Sequence, residues 1–329
     1  MNLSSDCSQG RLLDAKVIAA FGRRYLVRLA DNSTMTCLTR GKRSEVVCGD
    51  IVKIKRTGQP LPELVTNSST GLMPDTQGVI ESTTPRSSLL HRSDSFRSKI
   101  IAANISQIIV MVATEPSFSD ELLARCLVAA YDQDLEVLIV LNKCDLSDSA
   151  ATARKQLAPY SSIGYRVLEI SAKTPSDSSN NGTEERMVAG VSSLCPHLIN
   201  HSSVLVGQSG MGKSTVINAL LPDAQAATRE ISSALNSGKH TTTHARLYQL
   251  DNNSSLIDCP GVQAFGLHHL SFGRIEQGFV EFAQYLGQCR FHDCHHLHEP
   301  GCALRNAVET GKIDARRLAL FQQITTAQY

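Results

Sequence analysis

The sequence predicts a multidomain protein of α/β plus β class, with an N-terminal β-barrel, a central α/β domain and a C-terminal metal-binding module with short helices. Three observations carry that expectation. The first hundred residues read as short alternating β runs broken by turn residues. The middle alternates continuous apolar runs with helical periodicity around one glycine-rich loop, and near the end three cysteines gather around histidines.

Composition sets the outer bounds. The chain has 329 residues, 42% of them hydrophobic and 19% charged, which suits two or three domains and excludes wholesale disorder or a collagen-like repeat. Its longest apolar runs, such as Gln107–Ala113 and Val137–Leu141, fall far short of the roughly 20 residues that span a bilayer. Met1 to Arg11 is polar and lacks the apolar core of a secretory signal. No membrane association, a cytoplasmic location and, for want of a dimerisation signal, a monomer are expected. The formal charge of +1 conceals a split. Residues 1–99 carry 15 Lys and Arg against 9 Asp and Glu, a balance of +6, while residues 100–329 carry 17 against 22, a balance of −5. A basic first third suits either a solvated face or an anionic partner.

The barrel is read from the runs Ala15–Ala20, Tyr25–Ala30, Thr34–Thr39 and Asp50–Lys55, separated by Gly22, Asp31–Asn32 and Gly41, with a further set from Gly78 to Leu90. Five or so short strands with turn signals fit an OB-fold. Arg23, Arg24, Arg28, Arg40, Lys42 and Arg43 supply positive charge there, and the absence of Trp favours phosphate and shape contacts over base stacking.

After Arg97 the pattern becomes α/β. Gln107–Ala113 is a buried strand, and Ser117 is the expected cap of a helix from about Ser119 to Tyr131. Val137–Leu141 and Val167–Ile170 are further strands. Thr174 to Glu185 is rich in Ser, Asn and Gly and reads as a surface loop. Ser203–Val206 precedes the glycine-rich loop, Thr215–Leu221 follows it as a helix, and Arg246–Leu250 and Ser254–Ile257 form a hairpin across Asp251–Asn253. Ala303–Val308 and Ala315–Ile324 read as short helices.

The sharpest chemical signal is Gly207, Gln208, Ser209, Gly210, Met211, Gly212, Lys213, Ser214 and Thr215, which matches the phosphate-binding P-loop at every fixed position between a strand and a helix. Its glycines let backbone N–H groups wrap phosphates, Lys213 reaches the terminal phosphates and Ser214 is placed to ligate magnesium. Asn142, Lys143, Cys144 and Asp145 lie at the end of a strand, where open α/β sheets bind ligands. A carboxylate at Asp145 accepts from the ring N1–H and exocyclic amine of guanine, a donor pair that adenine does not offer, and Lys143 can pack over the base. Ser171, Ala172 and Lys173 end the next strand.

The metal signal is Cys289, Cys294, His296 and Cys302, three thiolates and an imidazole with the spacing Cys-x4-Cys-x-His-x5-Cys. Four such ligands make a closed, structural zinc site without an open catalytic position. His292, His295 and His298 compete for the histidine role.

These motifs together resemble a GTPase. Asp258, Cys259, Pro260 and Gly261 resemble the Asp-x-x-Gly switch, in which the aspartate reaches magnesium through water and the glycine N–H meets the γ-phosphate. Lys239, His240, Thr241, Thr242 and Thr243 resemble the first switch, with Thr242 favoured for the magnesium. The order is unusual, because the base-reading elements at Asn142 and Ser171 precede Gly207, Thr242 and Asp258. A circularly permuted P-loop GTPase domain, preceded by an OB-like barrel and followed by a zinc module, resembles the ribosome small-subunit-dependent GTPase family of 30S maturation, over about Arg11 to Ile324.

The resemblance implies an OB-fold RNA-binding domain at 1–97, a permuted GTPase domain at 98–270 and a zinc-binding domain at 271–329. It also implies one structural Zn2+, Mg2+ with GTP, and the 30S subunit and its 16S rRNA as partners. Val262 stands where many GTPases carry a water-orienting Gln, so slow hydrolysis by the free chain is expected, with His240 as a candidate substitute. Two other readings remain at this point: a P-loop ATPase or kinase without guanine preference, and an RNA-binding scaffold whose nucleotide pocket only sets conformation.

Overall fold

The computed structural model describes residues 12–40, 45–57, 78–93, 98–173, 189–221, 245–259 and 266–327. Strands β1 (Leu12–Phe21), β2 (Arg24–Leu29), β3 (Thr34–Thr39), β4 (Ile51–Arg56) and β5 (Gly78–Thr83) close into the expected barrel. β1 pairs antiparallel with both β2 and β4, β2 with β3, β3 runs parallel to β5, and β5 returns to β4. Alternate residues point inward, so Val17, Tyr25, Val27, Cys37, Val52, Ile54 and Ile80 form a core of the barrel's own.

β1 does two jobs. A register shift between Val17 and Ala19 bends it, and beyond the shift Ala19 pairs with Arg246 of β12 (Arg246–Gln249). The barrel therefore hangs on the edge of a second sheet. That sheet has the order β10–β9–β8–β11–β13–β12, built from β8 (Gln107–Ala113), β9 (Glu136–Asn142), β10 (Arg166–Glu169), β11 (Ser202–Val206) and β13 (Ser255–Asp258). All its pairs are parallel except the β12–β13 hairpin. β8 is buried along its whole length, as the continuous apolar run requires of a strand covered on both faces.

Helices α1 (Asp120–Asp132), α2 (Ser147–Ser162) and α3 (Lys213–Leu220) belong to this domain. The cap of α1 is Ser119, whose Oγ accepts from Leu122 N, and not Ser117. A two-stranded hairpin, β6 (Leu89–Ser93) and β7 (Ser98–Ala103), lies between the two sheets in sequence. The loop read at Thr174 to Glu185 falls outside the described residues.

Short helices α4 (Phe272–Gln277), α5 (Ala303–Glu309) and α6 (Ala315–Thr326) complete the chain. They add their apolar faces to the α/β domain's core. Phe279, Phe282 and Phe321 are fully buried in one cluster with Leu123, Leu127 and Val128, their ring centroids 5.1 to 5.4 Å apart. Arg317 is buried against them, paired with Glu281 at 2.6 Å and lying over the rings of Tyr160 and Phe279. The described residues thus contain two cores: one in the barrel, and one shared by the α/β sheet and the C-terminal helices. Among the described residues no helix is long and apolar enough to cross a membrane.

Candidate nucleotide site and metal centre

Permutation scatters the motifs along the chain, and the sheet gathers them again. The loops after β9, β10, β11 and β13 all leave from the carboxyl ends of parallel strands, the edge where such sheets bind ligands. Gly207 leaves β11 at a positive φ, and a Cβ there would stand 2.3 Å from the carbonyl oxygen of Met111. Gly212 closes the loop at φ +92, where a Cβ would meet Asn142 Nδ2 at 2.2 Å. Both positions demand glycine. Gly212 also caps α3 without any side-chain acceptor, so the first N–H groups of that helix are donors suited to a bound anion.

Lys213 lies within the loop, its Nζ donating to the carbonyls of Gly207 (2.5 Å) and Gln208 (2.8 Å). Burial lowers its pKa and the neighbouring Asp258 opposes that; burial in turn raises Asp258, opposed by Lys213. The lysine and the aspartate are thus both largely withdrawn from water and close enough to feel one another's charge. Ser209, Gly210, Ser214 and Thr215 are exposed at its mouth.

The loops after β9 and β10 hold one another. Asn142 is buried and bridges two loops: its Nδ2 donates to Met211 O (2.9 Å) and its Oδ1 accepts from Ala172 N (3.0 Å). Ser171 Oγ donates to Asp145 Oδ1 at 2.6 Å, fixing a carboxylate that is otherwise exposed. Lys143 has φ +62, and its Nζ donates to Glu115 O at 2.5 Å. Lys173, next after Ala172, is exposed. Asn142, Ser171 and Ala172 thus tie the loops together, while Asp145 stays exposed at the carboxyl edge of the sheet.

One part was read in the sequence only as the start of a helix. The segment from Thr114 to Ser119 lies between the phosphate loop and the base loop. Thr114 Oγ1 donates to Lys143 O (2.9 Å), Pro116 faces Gly210, and Ser119 N donates to the Gln208 side chain (2.9 Å). Its only sequence signal as part of the site is its place after a buried strand. His240, Thr242 and Gly261 lie outside the described residues.

The second cluster is Cys289, Cys294, His296 and Cys302, whose ligand atoms all lie within 4.8 Å of one another. His296 Nδ1 stands 3.5, 3.5 and 3.2 Å from the sulfurs of Cys289, Cys294 and Cys302. A tetrahedral zinc with Zn–S of about 2.3 Å and Zn–N of about 2.0 Å sets ligand N and S about 3.5 Å apart. The donor set therefore fits the ion in type and spacing. His296, not His292, His295 or His298, supplies the imidazole of this cluster. Glu299 accepts from the backbone N–H groups of His295, Leu297 and His298, which ties down the loop around His296. Although burial works to raise its carboxyl, hydrogen bonds from backbone N–H groups hold it down at about 2.

A sequence model of the family described as RsgA GTPase matches residues 83–268. The protein named small ribosomal subunit biogenesis GTPase RsgA of Nitrosospira multiformis is 49% identical over 312 residues, covering 95% of this chain and 90% of that one. The protein of that name from Burkholderia pseudomallei is 48% identical over 316 residues, covering 96% and 92%. Among solved structures, YjeQ from Thermotoga maritima superposes with a TM-score of 0.66 at 26% identity, over 97% of this chain and 99% of that one. YloQ, described as a circularly permuted GTPase, also gives 0.66, at 23% identity over 99% and 98%, and shares the fold. The chain belongs to the RsgA GTPase family and is a GTP hydrolase.

Proposed function

We propose that this GTPase binds the small ribosomal subunit and acts in late 30S maturation, hydrolysing GTP to GDP and phosphate faster on the subunit than free. It works as a cytoplasmic monomer whose segments 1–97, 98–270 and 271–329 serve as an RNA-binding barrel, a nucleotide switch and a zinc module. The barrel and the zinc module face 16S rRNA, and the basic balance of residues 1–99 supports that role for the barrel. The names of the relatives at 48 to 49% identity support the subunit as partner.

The observation that carries the nucleotide reading is the Ser171 bond that holds Asp145 at the end of the sheet, on the same edge as the P-loop. Asp145 and Lys143 read guanine. Lys213 and the N–H groups of the loop take the phosphates. Ser214, Thr242 and, through water, Asp258 hold magnesium, which neutralises phosphate charge when bound. Gly261 meets the γ-phosphate, and His240 takes the place of the missing water-orienting Gln. Binding of GTP, GDP and ATP by calorimetry tests the base reading. Asp145→Ala should weaken GTP by about 10- to 100-fold, the worth of hydrogen bonds to a charged group, while ATP stays weak throughout. Equal affinity of the native chain for GTP and ATP would refute it.

A further inference from the structure

We infer that Glu276 is the positioning residue of the metal centre: it accepts from Nε2 of His296 and so turns Nδ1, in the correct tautomer, toward the three sulfurs. The inference rests on reading Cys289, Cys294, His296 and Cys302 as a metal site. Glu276 Oε1 stands 2.5 Å from His296 Nε2, on the opposite side of the ring from the cysteines. An imidazole that binds a metal through one nitrogen carries its proton on the other, and a carboxylate on that N–H fixes the ring's rotation and raises its basicity. His296 is nearly completely buried, so water cannot readily replace that acceptor.

The rest of α4 is arranged to hold Glu276 in place. Phe272, one helical turn earlier and on the same face, lies 6.5 Å from the His296 ring at an interplanar angle of 14°. The ring of Phe321 stands 6.0 Å away. Arg274, on another face, donates to Asp132 at the end of α1 through Nε (3.0 Å) and pairs with it through Nη2 (2.9 Å). Gly278, just beyond the helix, lies so close to Val128 that a Cβ would approach within 2.9 Å. A six-residue helix with little stability of its own is thus clamped to α1 on one side and to the metal ligand on the other. Glu276 is 20 residues from His296 in sequence and in no motif with it.

The test uses the full-length chain purified with zinc. Zinc is drawn off by a chromogenic chelator at increasing concentration for the native protein, Glu276→Ala and Glu276→Gln. Loss of the carboxylate should weaken zinc retention by about 10- to 100-fold in Glu276→Ala. Glu276→Gln keeps an acceptor oxygen and should recover part of that loss. Cobalt(II) substitution reports the ligand set directly: the native chain should show tetrahedral thiolate–imidazole absorption, and Glu276→Ala an altered band. GDP affinity, unchanged in both variants, establishes that the fold is intact. Zinc retention and cobalt spectra in Glu276→Ala identical to those of the native chain would overturn the inference while leaving the metal centre standing. A native chain that retains neither ion would overturn the metal centre and the inference with it.

Discussion

The barrel and the C-terminal module are joined to the nucleotide domain by opposite means. The barrel keeps its own apolar core and meets the rest of the molecule through a small seam, in which polar and backbone contacts surround an apolar patch where Cys48 and Ile18 touch the α/β core. The polar contacts to β12 are the Ala19–Arg246 bridge and the Arg28 guanidinium donating to the Gln249 side chain, while the bond from Ala103 N to Cys48 O and the Arg86–Asp50 pair at 2.7 Å tie the barrel to the β6–β7 hairpin and to the segment before it. The C-terminal helices have no separate core and bury Phe279, Phe282 and Phe321 in the one they share with α1. A polar seam breaks and reforms at small cost, whereas an apolar core does not open without unfolding. The barrel is therefore the more weakly attached of the two, and the C-terminal helices are held as firmly as the core they help to form.

Deletion should separate the two modes of attachment most strongly. A chain ending at residue 270 loses the cover of its core and should aggregate, while a chain beginning at residue 85 should stay soluble and bind GDP. Size-exclusion chromatography and GDP titration decide between them, and a soluble, GDP-binding chain ending at 270 would abolish the contrast. Phe321→Ala should cost about 3–5 kcal/mol and lower the unfolding midpoint of the nucleotide domain. Ile54→Ala, about 2–5 kcal/mol in the barrel core, should leave GDP affinity unchanged. Denaturant unfolding followed by bound fluorescent GDP reads both.

Arg317→Ala strands the Glu281 carboxylate in that shared core and should cost about 3–5 kcal/mol, whereas the double change Arg317→Met with Glu281→Leu should recover most of it. The smallest effect belongs to the seam. Arg28→Ala should cost no more than about 1–2 kcal/mol, and it should appear as faster amide exchange along β1 and β12 with no change in the α/β core.

What the sequence disclosed follows from how local each signal is. The P-loop, the Asn142–Asp145 loop and the cysteine cluster each lie on one stretch of chain, so their residue types and spacing could be read without knowing the fold, and the four metal-ligand candidates do lie within 4.8 Å of one another. Most strands of the barrel and of the parallel sheet were legible from period and apolar runs within one or two residues, but β1 begins three residues before the run at Ala15, and the set from Gly78 to Leu90 spans β5 and the start of a separate hairpin. The start of α1 was misplaced by one serine. Ser117 and Ser119 are equivalent in sequence, and Ser119 is also tied through its N–H to Gln208, 89 residues away. α2 was missed although Ala150, Ala153, Leu157 and Tyr160 recur at helical spacing and are buried, because two of the four are alanines, Ala151 and Ala158 lie off that face, and Pro159 stands inside the segment. Glu276 was invisible for the same reason as the shared core: which helix packs on which is set by contacts between distant residues, and no spacing rule records them.

The function proposed for this chain is GTP turnover at a guanine-reading P-loop site that responds to the small ribosomal subunit. GTP and ATP hydrolysis measured side by side, with and without purified 30S subunits, tests it most directly. The account predicts slow GTP hydrolysis by the free chain, a rise on adding 30S, and no response with ATP. GTP turnover that 30S leaves unchanged, or ATP turnover that rises equally, would contradict it.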